Sequence, residues 1–242
     1  MRVAMFATCL VDGLMPGVGQ ATARLLRRLG QDVEFPLGQT CCGQMHVNTG
    51  YPQLAVPLIE NHVRTFESYD AVVVPSGSCA AAIRHQHAQV TAEAGHAALA
   101  RRAAAVANRT HELSEFVLDV LGVEDVGAYY PHRVTYHPTC HSLRLLRVGD
   151  RPLRLLRNVA GLQLVELPDA ESCCGFGGTF ALKNAAVSAA MLADKLTAVM
   201  ATGADVCTAG DTSCLLHMGG GLSRLGGPAQ AVHLAEILAS TR

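Results

Sequence analysis

The sequence predicts an α/β fold made of two related halves, each a parallel sheet flanked by helices. Three observations support this prediction: short Val-rich runs, helical patterns between them, and one cysteine motif that occurs twice. Short apolar runs of this kind suit strands that are buried on both faces of a parallel sheet. Their alternation with helical patterns is typical of parallel α/β domains.

Six short runs qualify as strands, three in each half, and they cover residues 2–7, 32–36, 71–75, 133–137, 162–168 and 204–208. Every run ends shortly before a cysteine of the motif. Because ligands of open α/β sheets bind beyond the carboxyl ends of the strands, we expect the cysteine loops to converge there. Thiols that are tens of residues apart in sequence would then surround one inorganic centre.

Helical patterns separate the strand runs. Residues 17–29 place apolar side chains on one face, and Gly30 follows as a C-terminal cap. Residues 181–200 predict a second, longer helix. The expected buried stripe of that helix consists of Leu182, Ala185, Ala189, Leu192, Leu196 and Val199.

Eight of the nine cysteines follow one pattern used twice, in which single cysteines precede and follow a Cys-Cys-Gly sequence. The first copy consists of Cys9, Cys41, Cys42 and Cys79, and the second of Cys140, Cys173, Cys174 and Cys214. The copies are offset by 131 residues at the first cysteine and by 135 at the last. This repetition indicates an internal duplication. We expect a first cysteine-rich half at 1–128 and a second at 129–242.

Composition argues against several classes of protein. The formal net charge of −1 does not favour a nucleic-acid-binding protein, and no apolar run reaches the ~18 residues of a membrane span. The N-terminal run has no small-residue cleavage site of a signal peptide after it. We therefore expect a cytoplasmic protein. Structural disulfides are rare in that compartment, so its cysteines are expected to be ligands, redox thiols or small buried side chains.

Four thiolates in each half can hold an iron–sulfur cluster or a structural zinc ion. Structural zinc sites usually contain two local Cys-x₂₋₄-Cys turns, whereas this chain has no Cys-x-x-Cys. Ligands from three strand ends favour a cluster with several metal vertices. A metal-stabilised scaffold without redox chemistry and a thiol–disulfide oxidoreductase using the adjacent pairs are the alternatives. Cys207 lies inside a strand run and is expected to be a buried apolar residue.

The cysteine pattern resembles the cysteine-rich domain of heterodisulfide reductase B subunits and glycolate-oxidase iron–sulfur subunits, and more closely the lactate utilization protein A family. The likeness runs from end to end, and the string 173–180 is its most specific part. The other matching stretches are 8–12, 39–44, 75–79, 136–141 and 214–217. The resemblance implies an electron-transfer subunit with a cluster site in each half, in a complex that oxidises L-lactate to pyruvate. It also implies a ferredoxin-type iron–sulfur subunit and a third small subunit as partners.

One element departs from the heterodisulfide reductase pattern, whose last motif is Cys-x-x-Cys. Ser76 and Asp211 stand at the first position of that motif in the two halves. The leading hypothesis is therefore a [4Fe–4S] cluster on the four cysteines of each half, and the alternative is one cluster with the other half degenerate. Asp211 is a candidate oxygen ligand. No flavin or nucleotide fingerprint supplies the acceptor that hydride removal from lactate needs, so catalytic residues stay unassigned.

Histidines and arginines near the cysteine motif are further candidates for ligand or partner binding. His137 and His141 bracket Cys140, as metal ligands or as hydrogen-bond donors to cluster sulfur. Five arginines recur in the segment 144–157. A solvated helix face is the favoured interpretation of that segment, and docking of an acidic partner is the alternative.

Overall fold

The structure is a computed structural model that describes all 242 residues. The chain divides into two compact units, Met1–Phe116 and Val117–Arg242. Each unit contains one four-stranded parallel sheet, and helices alternate with its strands along the chain. The predicted α/β class and the two repeated halves are therefore confirmed. No helix has the combination of length and apolar character that a membrane crossing needs.

The two sheets have the same topology. The strands of the first unit are β1 Val3–Met5, β2 Val33–Glu34, β3 Ala71–Val74 and β4 Thr110–Glu112. Those of the second unit are β5 Arg133–Tyr136, β6 Gln163–Val165, β7 Val206–Ala209 and β8 Gln230–His233. The order is β2-β1-β3-β4 in one sheet and β6-β5-β7-β8 in the other. All six predicted strands are present. Strands β4 and β8 were not predicted because β4 has no apolar residue, β8 mixes polar and apolar residues, and neither precedes a cysteine.

The helices complete each unit. In the first unit they are α1 Cys9–Leu14, α2 Pro16–Arg28, α3 Gln44–Asn48, α4 Val56–Phe66, α5 Gly77–His85, α6 His87–Glu93, α7 Ala97–Ala107 and α8 Leu113–Glu115. In the second they are α9 Arg151–Arg157, α10 Phe180–Lys183, α11 Ala185–Ala201, α12 Thr212–Leu225 and α13 Leu234–Ala239. A 3₁₀ turn covers Pro52–Ala55, and π-helical turns cover Phe116–Val120 and Ser142–Leu146.

The three strands that lead to cysteines are neighbours in each sheet. In the first unit, β1 lies between β2 and β3 and runs parallel to both. In the second unit, β5 lies between β6 and β7 in the same way. The connection that leaves β1 leads to β2, whereas the connection that leaves β3 leads to β4 on the other side, and β5 and β7 repeat this divergence. The divergence makes a crevice at the carboxyl ends of the strands. Parallel α/β folds bind their ligands in such a crevice.

The helix predicted over 17–29 is confirmed as α2. Its buried face includes Val18, Ala21 and Leu25, which are fully shielded from solvent. The helix ends before Gly30, whose φ of +77° allows the left-handed turn that closes a helix C-terminus. Burial of this apolar stripe against the sheet, rather than helix propensity, is the larger source of stability for a helix of this length.

The helix predicted over 181–200 is confirmed except for one break, because the backbone leaves the helical region at Asn184 and separates α10 from α11. Leu182 is 84% exposed, and Ala185 and Ala189 are exposed as well. The predicted apolar stripe therefore holds only for its C-terminal part. The inner face of α11 includes the polar residues Ser188 and Lys195, beside Leu196 and Val199.

Residues 117–128 pack with the second unit, although the sequence prediction put the division of the chain at 128. Val126 and Ala128 are buried, and the backbone N–H of Ala160 donates to the carbonyl of Ala128 at 2.9 Å. Asp119 and Glu124 form ion pairs with arginines of α9. The connection after α8 is thus part of the second unit's packing.

The buried carboxyl group of Glu112 allows the fold to be tested through the pH dependence of its stability, independently of the cysteines. Its carboxyl group caps α8 by accepting hydrogen bonds from Ser114 and Glu115, and burial raises its pKa to about 7. An acid whose folded-state pKa is raised stabilises the fold at low pH and loses that contribution as pH rises. The free energy of unfolding should therefore fall between pH 4.5 and about 7, by an amount on the order of 3 kcal/mol.

Urea unfolding across that pH range measures this effect. Glu112→Gln should flatten this part of the profile, because an amide does not titrate. Glu60→Gln, a change at an exposed glutamate of α4, is the matched control and should leave the profile unchanged. Identical profiles for Glu112→Gln and the unmodified chain would contradict the assignment.

Candidate functional site

Each motif cysteine lies where the chain passes from a strand to the next helix. Cys9 is the first residue of α1, directly beyond β1. Cys41 and Cys42 lie in the loop between β2 and α3, and Cys79 lies in the first turn of α5, beyond β3. The second unit repeats this placement. A helix N-terminus carries a positive partial charge, which favours the thiolate form of a cysteine in its first turn.

The four thiols of the first unit form a continuous row. The Sγ atoms of Cys9 and Cys41 are 3.8 Å apart, and the thiol of Cys42 lies close enough to those of Cys41 and Cys79 for both to raise its pKa. We refer to these four residues as the first thiol row. Exposure decreases along it, from exposed Cys9 through half-buried Cys41 to buried Cys42 and Cys79.

Protons are distributed unequally along the first thiol row. Hydrogen bonds from Cys42 and Cys9 lower the pKa of the Cys41 thiol well below its ordinary value. The same hydrogen bonds, together with burial, raise the pKa values of Cys9 and Cys42. Cys41 therefore ionises more readily than Cys9 and Cys42, which act as donors toward it.

The second unit contains an equivalent row of Cys140, Cys173, Cys174 and Cys214, which we refer to as the second thiol row. The thiol of Cys173 lies close enough to raise the pKa of Cys140, and the thiols of Cys173 and Cys214 both raise the pKa of Cys174. Hydrogen bonds from Cys140 and Cys174 lower the pKa of Cys173, as in the first row. The structure thus brings together all eight motif cysteines predicted from the sequence, four in each unit.

The glycine of each Cys-Cys-Gly sequence shapes the row. Gly43 has φ +83° and Gly175 has φ +90°, a backbone conformation that side chains disfavour. This turn directs the N–H of each glycine to the Sγ atom two residues before it, at 3.4 Å for both Cys41 and Cys173. Backbone N–H donors of this kind favour the thiolate form, and they tune the potential of sulfur-ligated clusters.

Strained backbone occurs at the matching position of both units. Thr8 and Thr139 directly precede Cys9 and Cys140, and their φ values are +64° and +58°. Such φ values are outliers for β-branched residues, and strain of this kind costs about 1–3 kcal/mol per residue. Both threonines are buried. Their repetition indicates that the turn before the first cysteine is a requirement of the site.

Comparisons with known proteins agree with the duplicated site. The CCG cysteine-rich domain family matches residues 3–84 and again residues 134–219. Lactate utilization protein A of Geobacillus sp. (strain WCH70) is 45% identical over 240 residues, which is 99% of this chain and 100% of that protein. The protein of the same name from Geobacillus kaustophilus (strain HTA426) is 47% identical over 238 residues, 98% of each chain. The chain belongs to the lactate utilization protein A family.

The two CCG matches each contain one complete thiol row of this lactate utilization protein A family member. Among solved structures, glutamate racemase isoform RacE1 from Bacillus anthracis aligns with 99% of this chain and 78% of its own length. Its sequence identity is 12% and its TM-score 0.36, values that carry no inference about fold or function.

Ser76 and Asp211, which stand where a related motif has cysteine, are helix N-caps in this family member. The Ser76 hydroxyl accepts a hydrogen bond from the N–H of Cys79 at 3.4 Å. One carboxylate oxygen of Asp211 accepts from the N–H of Ser213 at 3.1 Å and from its hydroxyl at 2.6 Å. Serine and aspartate are both strong N-cap residues, which accounts for their presence at the same place. Each fixes the first turn of the helix that carries the last cysteine.

Of the two predicted histidines, His137 lies deeper in the site. Its ring and the thiols of Cys174 and Cys214 bring ligand atoms within 4.8 Å of one another. Burial lowers the pKa of His137 to about 4, so the ring is neutral and able to donate a lone pair to a metal. His141 contacts the thiol of Cys140 through Nδ1 at 3.5 Å.

The sequence analysis missed two buried histidines of the first unit. His87 is hydrogen-bonded through Nε2 to the carbonyl of Cys42 at 2.8 Å, and its ring lies 5.2 Å from that of His62. The ring of His62 in turn packs against Phe6 at 4.9 Å. Neither histidine is adjacent to a cysteine in sequence, so only the fold brings His87 to the Cys-Cys pair and His62 to His87.

The arginine segment 144–157 is largely engaged within the second unit. Arg151 pairs with Asp119 at 2.8 Å, and Arg154 pairs with Glu124. Arg144 donates to the carbonyl of Glu171 at 3.3 Å. These contacts agree with the favoured interpretation, a solvated helix face, and reduce the number of guanidinium groups available to a partner.

The two Cys-Cys-Gly glycines should respond differently to the same substitution. A Cβ atom at Gly175 would lie 2.6 Å from the backbone oxygen of Ser188, whereas one at Gly43 would meet the Ala55 side chain at 3.0 Å. Gly43→Ala should therefore cost roughly 1–3 kcal/mol from backbone strain. Gly175→Ala should cost more, because the carbonyl of a helix cannot move easily. Urea unfolding of both variants measures the difference, and equal losses would contradict this account of the second loop.

Proposed function

We propose that this chain binds an iron–sulfur cluster in each unit and transfers electrons as a subunit of a cytoplasmic system that oxidises L-lactate to pyruvate. The observation that carries the proposal is the pair of four-thiol rows at equivalent strand ends. The proposed ligands are Cys9, Cys41, Cys42 and Cys79 in the first unit, and Cys140, Cys173, Cys174 and Cys214 in the second. The proposed cluster type is [4Fe–4S].

The donor chemistry supports cluster binding. Four thiolates satisfy the ligand requirement of a [4Fe–4S] cluster, which takes up and releases single electrons. In each row the first thiol of the adjacent pair, Cys41 or Cys173, has a lowered pKa. The backbone N–H of Gly43 or Gly175 already donates to its sulfur. The remaining thiols lie within hydrogen-bond reach along the row, so the protein supplies the ligands from one crevice without a long-range rearrangement.

The physiological role is inferred from the relatives. Full-length proteins that are 45% and 47% identical to this chain carry the name lactate utilization protein A. We infer that this chain acts in lactate utilization, together with a ferredoxin-type iron–sulfur subunit and a third small subunit. The residues that remove hydrogen from lactate are not assigned to this chain.

Zinc is the alternative metal for the site in the second unit. The buried atoms of His137, Cys174 and Cys214 form a mixed nitrogen and sulfur set within 4.8 Å, which is a donor set typical of zinc sites. A zinc-stabilised scaffold would use the same residues without redox chemistry. Elemental analysis separates the two functions.

Anaerobic purification followed by iron, sulfide and zinc analysis tests the proposal. We expect iron and acid-labile sulfide in similar amounts, a brown absorbance, and reversible bleaching with dithionite. Bleaching is expected because clusters change oxidation state, whereas a zinc scaffold has no such spectrum. A folded chain that contains stoichiometric zinc and no iron would sink the proposal.

Substitution of one ligand in each row should separate site residues from other cysteines. Cys42→Ser and Cys174→Ser should each remove about half of the iron, because each empties one four-thiol row. Cys207→Ala is the matched control, since Cys207 is fully buried in β7 and belongs to neither row. Full iron content in Cys174→Ser, or equal loss in Cys207→Ala, would contradict the assigned ligands. Lactate-dependent electron flow should fall together with iron content.

A further inference from the structure

Lys195 is a buried cation beside the second thiol row. The chain contains only two lysines, and the side chain of this one, on α11, is 1% exposed. Its Nζ atom donates to the carbonyls of Asp169 at 2.8 Å and Ala170 at 3.2 Å. These carbonyls belong to the turn that leads into Cys173. Burial of a lysine in this way is rare and costly unless its charge is compensated.

The charge of Lys195 reaches the thiols themselves. Burial lowers the pKa of Lys195, and attraction to Cys207, Cys174, Asp169 and Cys173 opposes that shift. The same charge lowers the pKa of His137. The ammonium therefore acts on the second thiol row through space, in an interior where screening by water is weak.

The first unit has a neutral side chain at the matching place. The backbone N–H of Phe6 donates to Val73, as that of His137 donates to Thr208, so Phe6 and His137 are equivalent positions. His62 on α4 packs against Phe6. Lys195 on α11 has the corresponding place in the second unit, where its charge acts on His137. Burial lowers the pKa of His62 well below its ordinary value, so its ring is uncharged.

The helix caps of the two units also differ in charge, but here the second unit has the negative group. Asp211 caps the helix that carries Cys214, and its charge is felt at Cys140. The first unit has uncharged Ser76 at this position. The second unit thus has both a buried cation and a buried carboxyl group where the first unit has neither.

We propose that the buried positive charge of Lys195 raises the reduction potential of the cluster in the second unit and counteracts the effect of Asp211 on it. This inference rests on the proposed cluster function. A fixed positive charge stabilises the reduced cluster, because reduction adds one negative charge, and a fixed carboxylate does the reverse. Charge near a cluster is an established control of its potential.

Potentiometric titration of the reconstituted full-length chain, followed by electron paramagnetic resonance, tests the proposal. The signal of the second cluster is assigned by its loss in Cys174→Ser. Lys195→Met should shift the one-electron equilibrium of that cluster roughly tenfold or more toward the oxidised form, which is a fall of 59 mV or more. Lys195→Gln, which keeps hydrogen-bond donors but loses the charge, should shift it in the same direction.

Three further variants complete the design. Lys195→Arg keeps the charge and should keep the potential near that of the unmodified chain. Asp211→Ser, which copies the cap of the first unit, should raise the potential of the second cluster. Lys183→Met removes the other lysine, which is exposed, and should leave both potentials unchanged because water screens its charge.

The outcomes separate this inference from the proposed function. An unchanged second potential in Lys195→Met and Lys195→Gln overturns the inference while leaving cluster binding intact. A shift in Lys195→Met alone, or loss of the second cluster in both neutral variants, would assign Lys195 to holding the loop and would also overturn it. Absence of iron from the unmodified chain would reject the proposed function itself.

Discussion

The candidate sites depend on the junction between a parallel strand and the helix that follows it. Three such junctions lie side by side in each sheet, because the central strand pairs with both of its neighbours. The helix starts after the two interior strands, β1 and β3 in one sheet and β5 and β7 in the other, carry single cysteines. The loop after the edge strand, β2 or β6, carries the adjacent pair. Sequence separation therefore matters little to this site. What matters is that three strand ends share one edge of the sheet.

The two units keep this framework and vary the charges around it. Both have a strained threonine before the first cysteine and a left-handed glycine after the pair. The buried positions that surround the thiols differ: Phe6 and His62 in one unit correspond to His137 and Lys195 in the other. Constraints on backbone shape are thus shared, whereas the electrostatic environment is specific to each unit. Clusters bound in the two units, as proposed, would then differ in potential.

Much of this arrangement could be predicted from the sequence. The spacing of the cysteines and the Val-rich runs before them predicted two parallel sheets and the convergence of four thiols in each half. Burial of Cys207 was predicted correctly from its place inside a strand run. These features follow from local patterns and from the rule that parallel strands end at one edge.

Other parts depend on tertiary contacts that no local pattern encodes. The stripe predicted for 181–200 failed at Leu182 because the backbone leaves the helical region at Asn184 and places Leu182 on a separate helix. Within α11, apolar periodicity assumes an apolar interior, whereas the interior that faces this helix includes the carbonyl groups that Ser188 and Lys195 bind. His62 and His87 were missed because they are far from any cysteine in sequence. The roles of Ser76 and Asp211 as helix caps became visible only when the starts of α5 and α12 were known.

Solvent exposure differs along the first thiol row, and this difference affects how the cysteines react with oxygen. Its outermost sulfur, on Cys9, is open to solvent and lies 3.8 Å from the sulfur of Cys41. The sulfur–sulfur distance in a disulfide bond is about 2 Å. A modest movement of the first turn of α1 would therefore allow Cys9 and Cys41 to form a disulfide bond. If iron is bound as proposed, oxidants compete with it for the same pair of thiols, and they reach the row from the end that faces solvent. Occupancy by the metal would therefore protect these sulfur atoms from oxidation.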